Sequence, residues 1–182
     1  MAIVVHPRTP RHVSLPLLRG LYSFDLARVA LLAAVPADIK AAADELLITR
    51  LATITAGEKL SLAKRGSARI AGALMHDADA RITKAVLENP RLTEASIVKA
   101  ISRRDARESL IAEISRHPKW SLRQEIRITL LQNERIPLAR ALQFAQGIPY
   151  RQLLDVLHHS RLPGPTKELL LKQARATRKL RP

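Results

Sequence analysis

Between Asn89 and Asn133 the chain reads NPRLTEASIVKAISRRDARESLIAEISRHPKWSLRQEIRITLLQN, and the punctuation of this stretch decides the fold. Asn89-Pro90-Arg91-Leu92-Thr93 is a turn ending in a hydroxyl suited to cap a helix, and a short helix over Glu94–Ile101 follows from it. Ser102 with Asp105 predicts the opening of a second helix, because a capping side chain and an acidic third position together satisfy orphan backbone N–H groups. His117-Pro118-Lys119-Trp120 breaks that helix, and Ser121 with Gln124 predicts a third. The next turn, Asn133-Glu134-Arg135-Ile136-Pro137, repeats the first at a spacing of 44. The stretch therefore reads as one unit of a helical repeat.

Working outward, the first unit, about His6 to Arg50, matches the last one without a gap at an offset of 127. Arg8 falls on Arg135, Pro10 on Pro137, Leu15 on Leu142, Gly20 on Gly147, Leu26 on Leu153, Val29 on Val156, Pro36 on Pro163 and Lys40 on Lys167. These are helix starts, helix stops and apolar positions, which stacked units must keep. Within that first unit Thr9 is placed to cap, Pro10 takes a first helical position that needs no N–H, and Gly20 ends the helix. A helix over about Ser23–Ala34 follows, then one opened by Pro36 that carries Ile39, Ala42, Ala43, Leu46 and Leu47 on one face. The second unit, about Leu51 to Glu88, holds a Thr55/Glu58 capping box, a stop at Gly66, a start at Ser67 and a helix over Ala80–Glu88. The fourth unit, from Asn133 to about Ala174, predicts helices near Pro137–Gln146, Pro149–His159 and Pro165–Ala174. Leu110, Ile114, Leu122, Ile126 and Leu130 recur at helical spacing and are expected to be buried between the third and fourth units. The organisation is thus an all-α, right-handed superhelical stack of about four three-helix repeat units. It is read as one domain over 1–174, with a basic tail over 175–182 expected to fray.

Composition agrees. Of 182 residues 47% are hydrophobic and only 3% aromatic, a mixture that suits closely packed helices better than strands. There is no cysteine, which excludes disulfides and thiolate metal sites. The N-terminus lacks the apolar run and cleavage site of a secretory signal, and no segment approaches the roughly 18 apolar residues of a membrane-crossing helix. The expected location is cytoplasmic, without membrane insertion.

The run Arg81-Ile-Thr-Lys-Ala-Val-Leu-Glu-Asn-Pro-Arg-Leu-Thr-Glu-Ala-Ser-Ile-Val-Lys-Ala-Ile101 resembles the leucine-rich repeat variant, with its Ala-Val pair, Asn-Pro turn, Thr and apolar helix. The longer three-helix spacing is similar to HEAT and armadillo repeats. The resemblance implies a curved stack of short helices that offers a binding surface, and it implies no activity. Some HEAT-like solenoids are alkyl-purine DNA glycosylases, which hold DNA on a basic face beside aromatic side chains and an acid. The one tryptophan here, Trp120, has no such acid arranged with it in the sequence.

Charge carries the functional reading. The formal net charge is +15, and it climbs along the chain. Lys+Arg stand against Asp+Glu as 6 to 4 in residues 1–50, 6 to 4 in 51–88, 9 to 5 in 89–132 and 10 to 3 in 133–182. Equivalent helices of a solenoid share a face, so Arg91, Arg103, Arg104, Arg107, Lys119, Arg123, Arg127, Arg135 and Arg151 are the expected basic stripe, with Trp120 as a ring able to stack on a base. Arg103 and Arg107, and again Arg123 and Arg127, are read as pairs on one helix face. Against this stand pairing within helices, as of Arg104 with Glu108, and packing of Trp120 as a hydrophobic staple. His6 and His117 occupy the turn position held elsewhere by Asn89 and Asn133, which suggests a polar side chain bonding backbone rather than a metal ligand. No phosphate-cradling glycine loop, nucleophile elbow or spaced carboxylate pair is present, so neither catalytic residues nor a cofactor is expected. The sequence predicts a non-enzymatic scaffold for nucleic acid or an acidic protein surface. A protein–protein adaptor and a HEAT-like DNA-repair glycosylase are the alternatives.

Overall fold

The computed structural model describes residues 2–6 and 9–179, and among these the regular elements are helices. In chain order they are α1 (Ala2–Val5), α2 (Arg11–Leu18), α3 (Ser23–Leu31), α4 (Ala37–Arg50), α5 (Ala56–Arg65), α6 (Ala68–Leu74), α7 (Ala80–Leu87) and α8 (Glu94–Ser102). There follow α9 (Glu108–Arg116), a 3₁₀ turn (Trp120–Leu122), α10 (Gln124–Gln132), α11 (Leu138–Gln146), α12 (Tyr150–His158) and α13 (Gly164–Lys179). No strand occurs among the described residues, and no helix is long and apolar enough to cross a membrane. The chain divides into two compact units, Met1–Ser96 and Ile97–Pro182. In the first, α3 packs on α4, α4 also meets α2 and α6, and α5 lies against α6 and α7. In the second, α10 is central to α9, α11 and α12, and α13 covers α11 and α12.

Several helix starts follow directly from side-chain chemistry. Thr55 accepts from the Glu58 N–H while the Glu58 carboxylate accepts from the Thr55 N–H, the reciprocal capping box. Ser67 caps α6 through the Ile70 N–H, and Thr93 accepts from the Ser96 N–H at the start of α8. Gly66 is the C-cap residue of α5, a position that suits glycine because a Cβ there would lie 2.5 Å from the Leu62 carbonyl oxygen. Other starts differ from expectation. Thr9 does not cap α2, since its hydroxyl donates to the Ile3 carbonyl at 2.7 Å. Ser102 does not open a helix but ends α8, because Asp105 is taken by the Arg103 guanidinium, and α9 begins at Glu108. The Ser121/Gln124 box is absent too: Trp120–Leu122 is a 3₁₀ turn and α10 starts after Arg123. The last helix runs to Lys179, beyond the expected end at Ala174, and residues 180–182 lie outside the described residues.

The internal equivalences reappear as hydrogen bonds. At the offset of 127, the Lys40 ammonium donates to the Ala33 carbonyl and the Lys167 ammonium to the Ser160 carbonyl, each seven residues back. Pro36 is the cap residue of α4, and the Lys40 and Lys167 N–H groups bond the Pro36 and Pro163 carbonyls. Leu26 and Leu153 are both fully buried, and Pro10 and Pro137 both precede helices. Arg8, the expected counterpart of Arg135, lies outside the described residues. At the offset of 44, buried Asn89 donates to the Ala63 and Gly66 carbonyls at 2.7 and 3.2 Å and accepts from the Arg91 N–H. Buried Asn133 donates to the Ile101 carbonyl at 2.8 Å and accepts from the Arg135 N–H. His117 fills the accepting part of this role, its Nδ1 accepting from the Lys119 and Trp120 N–H groups.

Of the five residues expected in the core around α9 and α10, Leu110, Ile114, Ile126 and Leu130 are buried. Leu122 is not. It is 67% exposed, because the 3₁₀ turn shifts it off the helical register and places Trp120, 3% exposed, inside instead. Ile126→Ala is therefore expected to cost about 2–5 kcal/mol through lost transfer energy and a residual cavity. Leu122→Ala should stay within about 0.5 kcal/mol. Denaturant melts of the two variants check the order, and equal losses would contradict the assigned register.

In the first unit the buried carboxylate of Asp44 ties α4 to α6 by accepting from the Ser67 hydroxyl at 2.7 Å. Burial pushes its pKa above the ordinary 3.8, against the pull of the Ser67 hydrogen bond and the Arg69 charge. The folded carboxyl thus holds its proton to higher pH than the unfolded one. Stability falls as pH rises from 3.8 through the raised value, and the cost is complete at neutral pH. Asp44→Asn, which keeps an oxygen for Ser67, is expected to raise stability at neutral pH and to change it little in acid. Melts at several pH values read this directly, and a uniform loss across pH would refute it.

Candidate nucleic-acid interface

The arginines of the expected stripe do different jobs, and the difference follows from where helices end. The last four carbonyls of a helix lack intrahelical partners. Guanidinium groups supply a missing donor at one such end and bond carbonyls of the connecting turns elsewhere. The Arg91 guanidinium donates to the Arg65 carbonyl at the end of α5 at 3.3 Å. The Arg135 guanidinium donates to the Ala106 carbonyl, and Arg127 Nε donates to the Ser121 carbonyl at 2.6 Å. The Arg127 guanidinium also lies 5.7 Å from the centre of the Phe144 ring. Arg50, outside the expected stripe, does the same in the first unit, bonding the Arg19 and Leu21 carbonyls.

Arg103 is held by Asp105 through two bonds of 2.9 and 2.7 Å. Arg103 and Arg107 do not share a helix face: both stand in the turn between α8 and α9, where Arg107 is the cap residue of α9. Arg104 is in the same turn, exposed, and no bond joins it to Glu108. Arg123 caps α10 without a side-chain bond and is exposed, and Arg151 is exposed in the first turn of α12. The Trp120 ring is buried, so it offers no face to a base. Its ring carries the Lys119 ammonium 4.1 Å from its centre, with the His117 ring at 6.4 Å.

These contacts gather the expected arginines of the second unit in two groups. The bond from Arg135 to Ala106 sets the 103–107 turn beside the 133–137 turn, at the C-terminal end of α10. The bond from Arg127 to Ser121 reaches back past Arg123 at the N-terminal end, and Arg127 Nη1 also lies near Gly147, four residues before Arg151. The nine residues of α10 separate the two ends by about 14 Å at ~1.5 Å per residue. Arg91 belongs to the first unit.

At the C-terminal end of α10 a polar cavity of about 90 Å³ opens among Ser102, Thr129, Gln132, Asn133, His159 and Arg161, with Ile101. The Arg161 guanidinium donates to the Ser102 carbonyl at 3.4 Å, and its N–H bonds the Gln132 carbonyl. His159 Nδ1 bonds the Asp155 carbonyl at 2.8 Å. Arg161 went unread in the sequence because its counterpart at the offset of 127 is Ala34, so the repeat comparison passes over it. Among the described residues no three His, Asp or Glu side chains are grouped as a metal site requires. No protein-family model matches the sequence, and no curated protein or solved structure resembles it at a significant level.

Two populations of arginine should separate by experiment. Arg135→Ala is expected to lose about 1–2 kcal/mol of stability, since it strips a charged donor from the Ala106 carbonyl in the turn between α8 and α9. Arg104→Ala should change stability by less than about 0.5 kcal/mol. Chemical denaturation of both variants tests the division, and the reverse order would refute it.

Proposed function

We propose that the chain is a non-enzymatic helical-repeat scaffold, of the kind that the leucine-rich repeat variant and HEAT-like repeats represent, and that its second unit holds the phosphate backbone of nucleic acid. The observation that carries the reading is the pair of cationic turns juxtaposed by the Arg135–Ala106 bond, with exposed Arg104 on one of them. Arg123 and Arg151 extend the positive surface at the other end of α10. Arg161 beside the polar cavity adds a seat for one phosphate oxygen. Backbone phosphates suit such a surface because they need charge and reach rather than stacking rings. A glycosylase would need an accessible aromatic ring beside a carboxylate, whereas Trp120 is buried under Lys119.

Fluorescence anisotropy with a labelled duplex, a single strand of the same sequence and heparin tests the proposal between about 50 and 200 mM salt. Wild type is expected to bind with an affinity that falls steeply with salt. Arg104→Ala, Arg123→Ala and Arg151→Ala together should weaken binding about equally for unrelated sequences. The same variant should flatten the log–log salt slope by about 0.9 per lost contact on duplex. Absence of wild-type binding to any of the three polyanions at low salt would leave the adaptor as the better reading.

A further inference from the structure

In the first unit an apolar groove of about 450 Å³ runs between α3 and α5. Its α3 wall is Phe24, Ala27, Arg28 and Leu31, which stand at i, i+3, i+4 and i+7 and so share one face of the helix. Leu62 and Arg65 contribute to the α5 wall. The helix α3 already buries Leu26 and Val29 completely within the unit, so this is a second apolar face with no helix seated on it. Phe24 is 50% exposed there. A helix that is apolar on two sides is ordinarily covered on both.

Charge says what covers it. Arg28 and Arg65 border the groove from opposite walls, both are exposed, and neither side chain makes a hydrogen bond or ion pair among the described residues. No acidic residue lines the groove. From Phe24 to Leu31 the wall is about 10.5 Å long at ~1.5 Å per residue, two turns of an α-helix. No strand edge exists among the described residues to receive an extended peptide, and the two-turn apolar face matches the anchor spacing of a helix laid in a groove. We propose that the α3–α5 groove binds an amphipathic helical segment of a partner protein, with apolar anchors seated against Phe24 and Leu31 above a floor of buried Ala27 and Leu62, and flanking carboxylates paired with Arg28 and Arg65.

The probe is a fluorescent synthetic helix of leucine and glutamate, with leucines at i, i+3, i+4 and i+7, titrated into the full chain. Two control peptides replace every glutamate by lysine or every leucine by serine. The leucine–glutamate peptide is expected to bind and both controls to fail. Phe24→Ser and Arg28→Glu, both at exposed positions, should each weaken binding about tenfold or more with an unchanged far-ultraviolet circular dichroism spectrum. The variant carrying Arg104→Glu, Arg123→Glu and Arg151→Glu should bind the peptide as wild type does, which separates this site from the nucleic-acid surface. Equal binding of the lysine or serine peptide would overturn the proposal, as would loss confined to that triple variant. So would a site that takes dodecanoate but not the peptide, or a concentration-dependent dimer in sedimentation that Phe24→Ser abolishes.

Discussion

Short helices generate many carbonyl oxygens with no partner, and the satisfaction of those oxygens is the constraint on which this protein rests. A helix of nine residues leaves its last four carbonyls open, close to half of its acceptors. In the described residues, side chains arriving from later in the chain meet carbonyls in the last turn of a helix or just beyond it: Asn89 on α5, Asn133 on α8, Lys40 after α3, Lys167 after α12, Arg50 after α2. Each bond spans seven to about thirty residues, so it joins one helix end to a following element while it terminates the first. Among the described residues no buried side-chain nitrogen or oxygen is left unpaired.

This explains why the repeats were legible. Asn carries on one short side chain an amide that donates to a helix-end carbonyl and an oxygen that accepts from a backbone N–H two residues on, and the spacing of Asn89 and Asn133 recorded that geometry. The offset of 127 likewise marked residues whose bonds recur, Lys40 and Lys167 above all. What could not be read was competition for a single side chain. Asp105 looks like the third residue of a capping box, yet the adjacent Arg103 claims it with two charge-assisted bonds. Thr9 looks like a cap, yet a carbonyl in α1 takes its hydroxyl. Leu122 fits a helical period that the 3₁₀ turn interrupts. Local patterns identify what a residue can do, and tertiary neighbours decide which of those options is used.

The candidate surface shows the same division. A count of arginines overstates the charge open to a ligand, because Arg127 and Arg135 are engaged with carbonyls and Arg103 with a carboxylate. The engaged arginines nonetheless position the open ones, since Arg135 brings the 103–107 turn alongside its own. The apolar groove of the first unit was missed for a related reason. Phe24, Ala27 and Leu31 continue the ordinary apolar periodicity of a packed helix, and sequence spacing alone does not show that α3 has a second apolar face left open.

The arginine bonds to helix-end carbonyls have a consequence for handling the protein. A hydrogen bond held at 2.6 Å inside a turn, such as Arg127 to Ser121, is weakened far less by dissolved ions than an encounter between an exposed guanidinium and a phosphate, which trades against a counterion atmosphere. Ionic strength therefore acts selectively on this protein. On the proposed reading, a concentrated salt wash would strip any bound polyanion while the internal arginine bonds hold the turns in place.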